Sequence, residues 1–168
     1  YALTVGVDSG VQSILDSMRR SVTLEKMEEQ VNLIKDSSSI AVTGNFILGL
    51  PGETARDIDA TIRYARQLRL DRAQFAYYLP LPGSPLFSEL RAEGKLDDID
   101  YGNLSWSSSN IPYAPEGMTT RELRRQIVRA YISFYGRSKI LTAAAREVRN
   151  LEHAVFLAKK TFGRIIGV

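Results

Sequence analysis

Apolar residues fall along this chain in two patterns, short continuous runs and stripes repeating every three to four positions, and their alternation predicts strands separated by helices. Residues 2–7 read as a buried strand running into Asp8, Ser9 and Gly10. Ser9 and Gln12 have capping-box spacing, and Val11, Ile14, Leu15 and Met18 form the stripe of a short helix. Thr23 is placed to cap a second helix, with Leu24, Met27, Val31 and Ile34 on its buried side. After a polar break at 36–39, a second strand is expected over 40–48. Thr54, with Asp57 three positions on, then caps a helix whose apolar face is Ile58, Ile62, Ala65 and Leu68. A third strand over 73–79 ends in Pro80-Leu-Pro-Gly-Ser-Pro85, which cannot continue a ladder; Ser84 and Pro85 open a helix through Leu86, Phe87 and Leu90 that Gly94 stops. Strands alternating with helices call for parallel pairing, hence an α/β fold.

Beyond this the pattern changes. Residues 96–116 are polar around the single Trp106 and lack a period, which predicts an irregular connection. The remainder reads as helical. Thr119 or Thr120 starts a helix with Leu123, Ile127, Ala130, Tyr131 and Phe134 on one side and Arg121, Arg124, Arg125 and Arg129 on the other, and Gly136 breaks it. Ile140, Leu141, Ala144 and Val148 mark another, and Leu151, Val155, Ala158 and Phe162 the last, which holds the sole histidine, His153.

The stretch from Gly44 to Glu53, Gly-Asn-Phe-Ile-Leu-Gly-Leu-Pro-Gly-Glu, organises the rest. A strand that runs through a glycine-rich turn into a capped helix leaves backbone N–H groups pointing past the strand's carboxyl end, and missing side chains let a ligand come close. The ligand is expected there. Glu53, beside the helix start, reads either as a general base or as a first-turn anion favoured by the helix dipole.

Composition narrows the chemistry. With 168 residues and 44% hydrophobic content the chain can bury a core, and with no cysteine it holds no disulfide, cysteine nucleophile or cysteine-bound metal. Its 22 basic and 19 acidic residues leave a net charge of +3, which does not demand a nucleic-acid partner. Apolar runs such as 46–50 are too short to span a bilayer and no leader opens the sequence, so a cytoplasmic location is expected. A chain that opens directly on a buried strand reads as a piece from the middle of a larger protein.

Three motifs in order, Gly6-Val-Asp-Ser-Gly10 with Met18-Arg-Arg20, Phe46-Ile-Leu-Gly-Leu-Pro-Gly-Glu-Thr54, and Tyr78-Leu-Pro-Leu-Pro-Gly-Ser-Pro-Leu86, each fall at the carboxyl end of an expected strand. With them the chain resembles the radical S-adenosylmethionine (SAM) superfamily, in the cobalamin-associated branch of anaerobic oxidative cyclases and methyltransferases; Ala130-Tyr-Ile-Ser-Phe-Tyr135 resembles the helical extension those proteins carry after the barrel. The resemblance implies a partial TIM-type (β/α) barrel with three parallel strands and flanking helices, followed by a helical C-terminal extension. Residues 1–95 would be the C-terminal half of the barrel, 96–118 the irregular connection and 119–168 the extension.

It also implies SAM and a [4Fe-4S] cluster in the parent protein, with cobalamin relaying a methyl group in methylating members, and a small-molecule substrate. The cluster cysteines are not here, so no catalytic or metal-binding residue is assigned, and no cofactor is expected to stay bound to this fragment. By the same resemblance Asp8 or Ser9 would approach the SAM ribose, Arg20 its carboxylate, Ile47 with Gly49 and Leu50 its adenine, and the backbone from Tyr78 and Leu79 to Leu81 the adenine edge. Asp8 stands where the family usually has Glu. Each residue has a plainer reading: Asp8 and Ser9 as turn and cap, Arg20 as a solvated base, Ile47 as core, Tyr77 and Tyr78 as sheet residues.

The expected partners are the N-terminal half of the barrel and a cobalamin-binding domain, with neither nucleic acid nor membrane. Three parallel strands cannot close a barrel, so two unpaired edges would favour self-association of the fragment. Two other readings stay open: a stand-alone nucleotide-binding module holding phosphate at 49–54, and a helical interaction or RNA-binding tail using Arg121 to Arg129.

Overall fold

The computed structural model describes residues 1–97, 99, 101, 111–138, 140 and 142. Its order is β1 (Ala2–Asp8), α1 (Gln12–Ser17), α2 (Leu24–Ser37), β2 (Ala41–Leu48), α3 (Ala55–Gln67), β3 (Arg72–Tyr77), α4 (Pro85–Ala92) and α5 (Thr120–Tyr135). The strands form one parallel sheet in the order β1-β2-β3, so their carboxyl ends lie side by side. This is the architecture of a partial barrel followed by further helices. Trp106, His153 and the expected helices at 140–148 and 151–162 lie wholly or largely outside the described residues.

Side-chain alternation assigns the sheet's two faces. Register pairs Gly44 with Ala73, Phe46 with Phe75 and Leu48 with Tyr77. These even positions of β2 and odd positions of β3 join Met27 and Val31 of α2, Ile58, Ile62 and Ala65 of α3, and Leu123, Ala130 and Phe134 of α5 in the main core. Phe46 and Phe75 stack at 5.1 Å. Thr43, Asn45 and Ile47 of β2, with Gln74 and Ala76 of β3, occupy the alternate positions and hence the other face. Among the described residues no helix is long and apolar enough to cross a membrane.

Local capping holds the helices in place. The Thr23 hydroxyl accepts from the N–H of Lys26, and Ser84 from that of Phe87. Thr54 and Asp57 form the reciprocal capping box their spacing predicts. Thr119 rather than Thr120 caps α5, in a second box with Glu122. The expected Ser9–Gln12 box does not form: α1 begins after Val11 with no side-chain cap.

The β3 edge also differs from expectation. α5 lies along it: the Tyr135 hydroxyl donates to the Ala73 carbonyl at 2.9 Å and accepts from the Ala73 N–H at 3.3 Å, and the Tyr131 hydroxyl accepts from the Phe75 N–H at 3.2 Å. Side chains therefore satisfy backbone groups that an open edge would offer to another strand. Both edges lack a further strand among the described residues, as expected, but on this side α5 covers the backbone at Ala73 and Phe75.

Candidate functional site

The three motif-bearing turns meet at the carboxyl end of the sheet. At the first, a register shift between Gly6 and Asp8 interrupts the ladder and Asp8 takes φ 60°, a left-handed conformation that few residue types besides Gly, Asn and Asp enter readily. Arg19, after α1, is left-handed too, at φ 57°. Between them these two turns bring Arg20 back over the strand end. Its Nε lies 2.8 Å from Asp8 Oδ2, and its Nη2 donates to the Gly6 carbonyl at 3.3 Å. Burial pushes the Asp8 carboxyl above its ordinary pKa, and the Arg20 charge and hydrogen bond oppose that rise. The Arg20 side chain stays 43% exposed, so the pair presents a polar surface with donors to spare.

Beside it is an apolar wall. Ile14 of α1, Leu50 after β2, Tyr78 after β3, and Phe87 and Leu90 of α4 form a second buried cluster, with Met18 and Ile47 packed against it. Leu50 and Tyr78 are already covered, whereas Ile47 remains partly exposed. Of the positions expected to surround an adenosyl group, the fold thus gathers Asp8, Arg20, Ile47, Leu50 and Tyr78 at the strand ends.

At the three other positions the side chains turn elsewhere, which leaves the backbone role expected at Leu79 untouched. Ser9 is fully buried, its hydroxyl 3.2 Å from that of Thr61 and accepting from the Val11 N–H, while Thr61 Oγ1 accepts from the Gly10 N–H. Ser9 ties β1 to α3. Leu79 belongs to the main core. Gly49, at φ 82°, turns its bare Cα toward α5: a Cβ built there would lie 2.4 Å from Leu123 Cδ2. The side chain that Gly49 lacks makes room for Leu123.

Glu53 corrects the expectation most. It is 1% exposed, neither a first-turn anion in solvent nor a base facing a cleft. Its Oε2 accepts from the N–H of Gly49 at 2.5 Å and of Leu50 at 3.1 Å, and Oε1 has no hydrogen-bond partner among the described residues. The N–H groups expected to point at a ligand are occupied by the chain's own carboxylate. Burial raises the Glu53 pKa to about 7 despite those two hydrogen bonds, and Asp57 adds a small push in the same direction. Thr54 Oγ1 is likewise engaged by Asp57, and the N–H groups of Glu53 and Thr54 donate to the Leu50 carbonyl and to Asp57, so most of the donors a phosphate would need in 49–54 are already in use.

Local spacing could not reveal Thr61 or Glu53. The one signal for Thr61 was a hydroxyl inside the apolar stripe of α3, and for Glu53 its place just before the cap, where Pro51-Gly52 has already turned the chain back toward β2.

Among the described residues no three His, Cys, Asp or Glu side chains gather as a metal site, and the sequence has no cysteine. This chain therefore supplies no thiolate to an iron–sulfur cluster, and its residues do not fit one.

No protein-family model matches the chain. It is 27% identical, over its whole length, to an uncharacterized methyltransferase of Pyrococcus horikoshii, of which it covers 35%. It is 29% identical over 79% of its length to the anaerobic magnesium-protoporphyrin IX monomethyl ester cyclase of Rubrivivax gelatinosus, covering 23% of that protein. The chain thus spans about a third or less of the length of these curated relatives. Its fold matches that of coproporphyrinogen III oxidase from Escherichia coli, a radical SAM enzyme, with a TM-score of 0.54, 18% identity, and coverage of 80% of this chain and 26% of the other. By these similarities, and by the three strand-end motifs the fold sets side by side, the chain is related to the radical SAM superfamily, at a level that singles out no branch of it.

Proposed function

We propose that this chain is one segment of a radical SAM enzyme and that its strand ends form part of the surface receiving the adenosyl and methionyl portions of SAM. The carrying observation is the juxtaposition of the Asp8–Arg20 pair at the tip of β1 with the apolar wall of Ile47, Leu50 and Tyr78 at the tips of β2 and β3. Asp8 accepts from ribose hydroxyls, Arg20 offers a planar donor fork to the SAM carboxylate, and Ile47 supplies the exposed apolar contact for adenine. The backbone of Tyr78 and Leu79 borders the adenine edge. Ser9, Gly49 and Leu50 act from behind this surface by fixing its shape.

The thiolates for a [4Fe-4S] cluster belong, in this reading, to another part of the parent polypeptide. SAM bound at a reduced cluster supplies radical chemistry there, and the present residues bind and orient. Methyl transfer and oxidative cyclisation are the reactions the relatives' names support, with cobalamin as carrier in the methylating case and a small molecule as substrate; the location proposed is cytoplasmic.

The phosphate-binding alternative loses its basis in the occupied amides of Gly49 and Leu50.

The test is to sequence the gene upstream of Tyr1 for a Cys-x-x-x-Cys-x-x-Cys run, and to reconstitute the full-length product anaerobically with iron and sulfide. The expected result is 5′-deoxyadenosine formation that depends on SAM and reductant. A full-length product without the cysteine run, or one that loads a cluster yet never cleaves SAM, overturns the reading.

A further inference from the structure

The turn between β2 and α3 has the sequence logic of an anion site, a strand end followed by glycines and a capped helix, yet its two inward N–H groups already hold an anion that belongs to the chain. We infer that Glu53 is a specificity-determining residue, a built-in counter-anion that keeps phosphate-bearing ligands off the β2–α3 turn and leaves the strand ends to a ligand recognised there without phosphate. That the favoured ligand is adenosyl rests on the function proposed above; the exclusion of phosphate does not.

Three observations carry the inference. Glu53 Oε2 takes both amides, at 2.5 and 3.1 Å, in a setting where the side chain is 1% exposed and solvent cannot compete. Glu53 Oε1 has no hydrogen-bond partner among the described residues, so when Glu53 is ionised its charge is not spent on any other donor there and stands against a second anion. Finally, Leu123 closes the opposite side of the turn against Gly49, so an anion could reach these amides only by displacing Glu53. Asp57 of α3 adds negative charge nearby, while Leu123, the contact from α5, is apolar. Protonation on Oε1 leaves Oε2 free to keep both N–H bonds, so the plug survives loss of its charge.

The experiment follows the Gly49 and Leu50 amide resonances of this chain by NMR while inorganic phosphate, adenosine triphosphate or formate is added. In the native chain none of the three should move these two resonances at millimolar concentration. In Glu53→Ala the vacated site should accept formate and phosphate with millimolar dissociation constants, at least about tenfold tighter than in the native chain. If Glu53→Ala is unfolded in plain buffer, formate should restore its folded spectrum by binding the folded form. Glu53→Gln, which retains a carbonyl acceptor without charge, should fold and exclude phosphate. Movement of the native Gly49 and Leu50 resonances by phosphate overturns the inference, as does a Glu53→Ala chain that formate neither binds nor rescues. None of these readouts uses SAM, so their failure leaves the SAM reading intact, and failure of SAM cleavage leaves them unchanged.

Discussion

The carboxylate of Asp8 and the guanidinium of Arg20 meet at 2.8 Å across the end of β1, although twelve positions and a whole helix separate them in the chain. Both are delivered by left-handed backbone, at Asp8 itself and at Arg19. The pair is thus a product of backbone placement as much as of charge.

Replacing Asp8 tests the two contributions separately. Asp8→Asn keeps a residue at ease in the left-handed region and removes a partly exposed ion pair, so the loss in urea denaturation should be below about 1 kcal/mol. Asp8→Val should cost about 2 kcal/mol more, because a β-branched side chain is strained at that φ. In the full-length protein Asp8→Asn and Arg20→Ala should each weaken SAM binding by about tenfold, measured by calorimetry. Equal losses for Asn and Val would show that φ at this position is unimportant.

Gly49→Ala should be among the most damaging single-methyl changes. The added carbon would meet Leu123 Cδ2 at 2.4 Å and would also sit on a backbone at φ 82°. Together these should cost about 2 to 4 kcal/mol of stability. Shortening Leu123 to Ala in the same chain should relieve the clash but not the backbone strain, giving a coupling of about 1 kcal/mol or more in a double-mutant cycle. Additive losses would mean that the two residues do not touch.

Glu53 makes stability fall as pH rises. Its folded pKa of about 7 lies above the ordinary value of 4.5, so the folded chain binds the extra proton between those values. The protonated group contributes fully below about pH 4.5, and that contribution is lost as pH climbs through about 7. The loss should approach about 3 kcal/mol, seen as the difference between the native and Glu53→Gln stability profiles, since Gln cannot ionise. Parallel profiles for the two chains would refute it.

Tyr135→Phe removes the group that serves both the N–H and the carbonyl of Ala73. Leaving that backbone unsatisfied should cost about 1 to 3 kcal/mol and speed hydrogen exchange at the Ala73 amide. Tyr131→Phe should act in the same way at the Phe75 amide. Unchanged exchange at Ala73 would mean that another group guards the edge.

What the sequence made legible divides along these lines. Thr23, Thr54 and Ser84 cap where short-range spacing places them, and the stripes of α2, α3 and α5 all turn inward, because capping and amphipathicity are decided within a few residues. Parallel pairing followed from the alternation of elements, and with it the convergence of the three strand ends. Ser9 escapes a sequence reading because its partner, Thr61, lies 52 residues away; a serine near a helix start satisfies the cap pattern whether or not it finds another partner. Glu53 escaped because a carboxylate beside a helix start is ordinarily solvated, and only the reversal at Pro51-Gly52 sends it inward to the amides of its own turn. Gly49 was recognised as a close-approach position, but the approaching group is Leu123 of α5, which nothing near Gly49 in the chain announces.

The tyrosine hydroxyls of α5 give the sheet a direction of growth. A strand joining laterally beside β3 would first have to displace Tyr131 and Tyr135 from the backbone they serve, whereas no such toll protects β1 among the described residues. A strand added to this sheet would therefore meet less resistance beside β1 than beside β3, where α5 guards the backbone at Ala73 and Phe75.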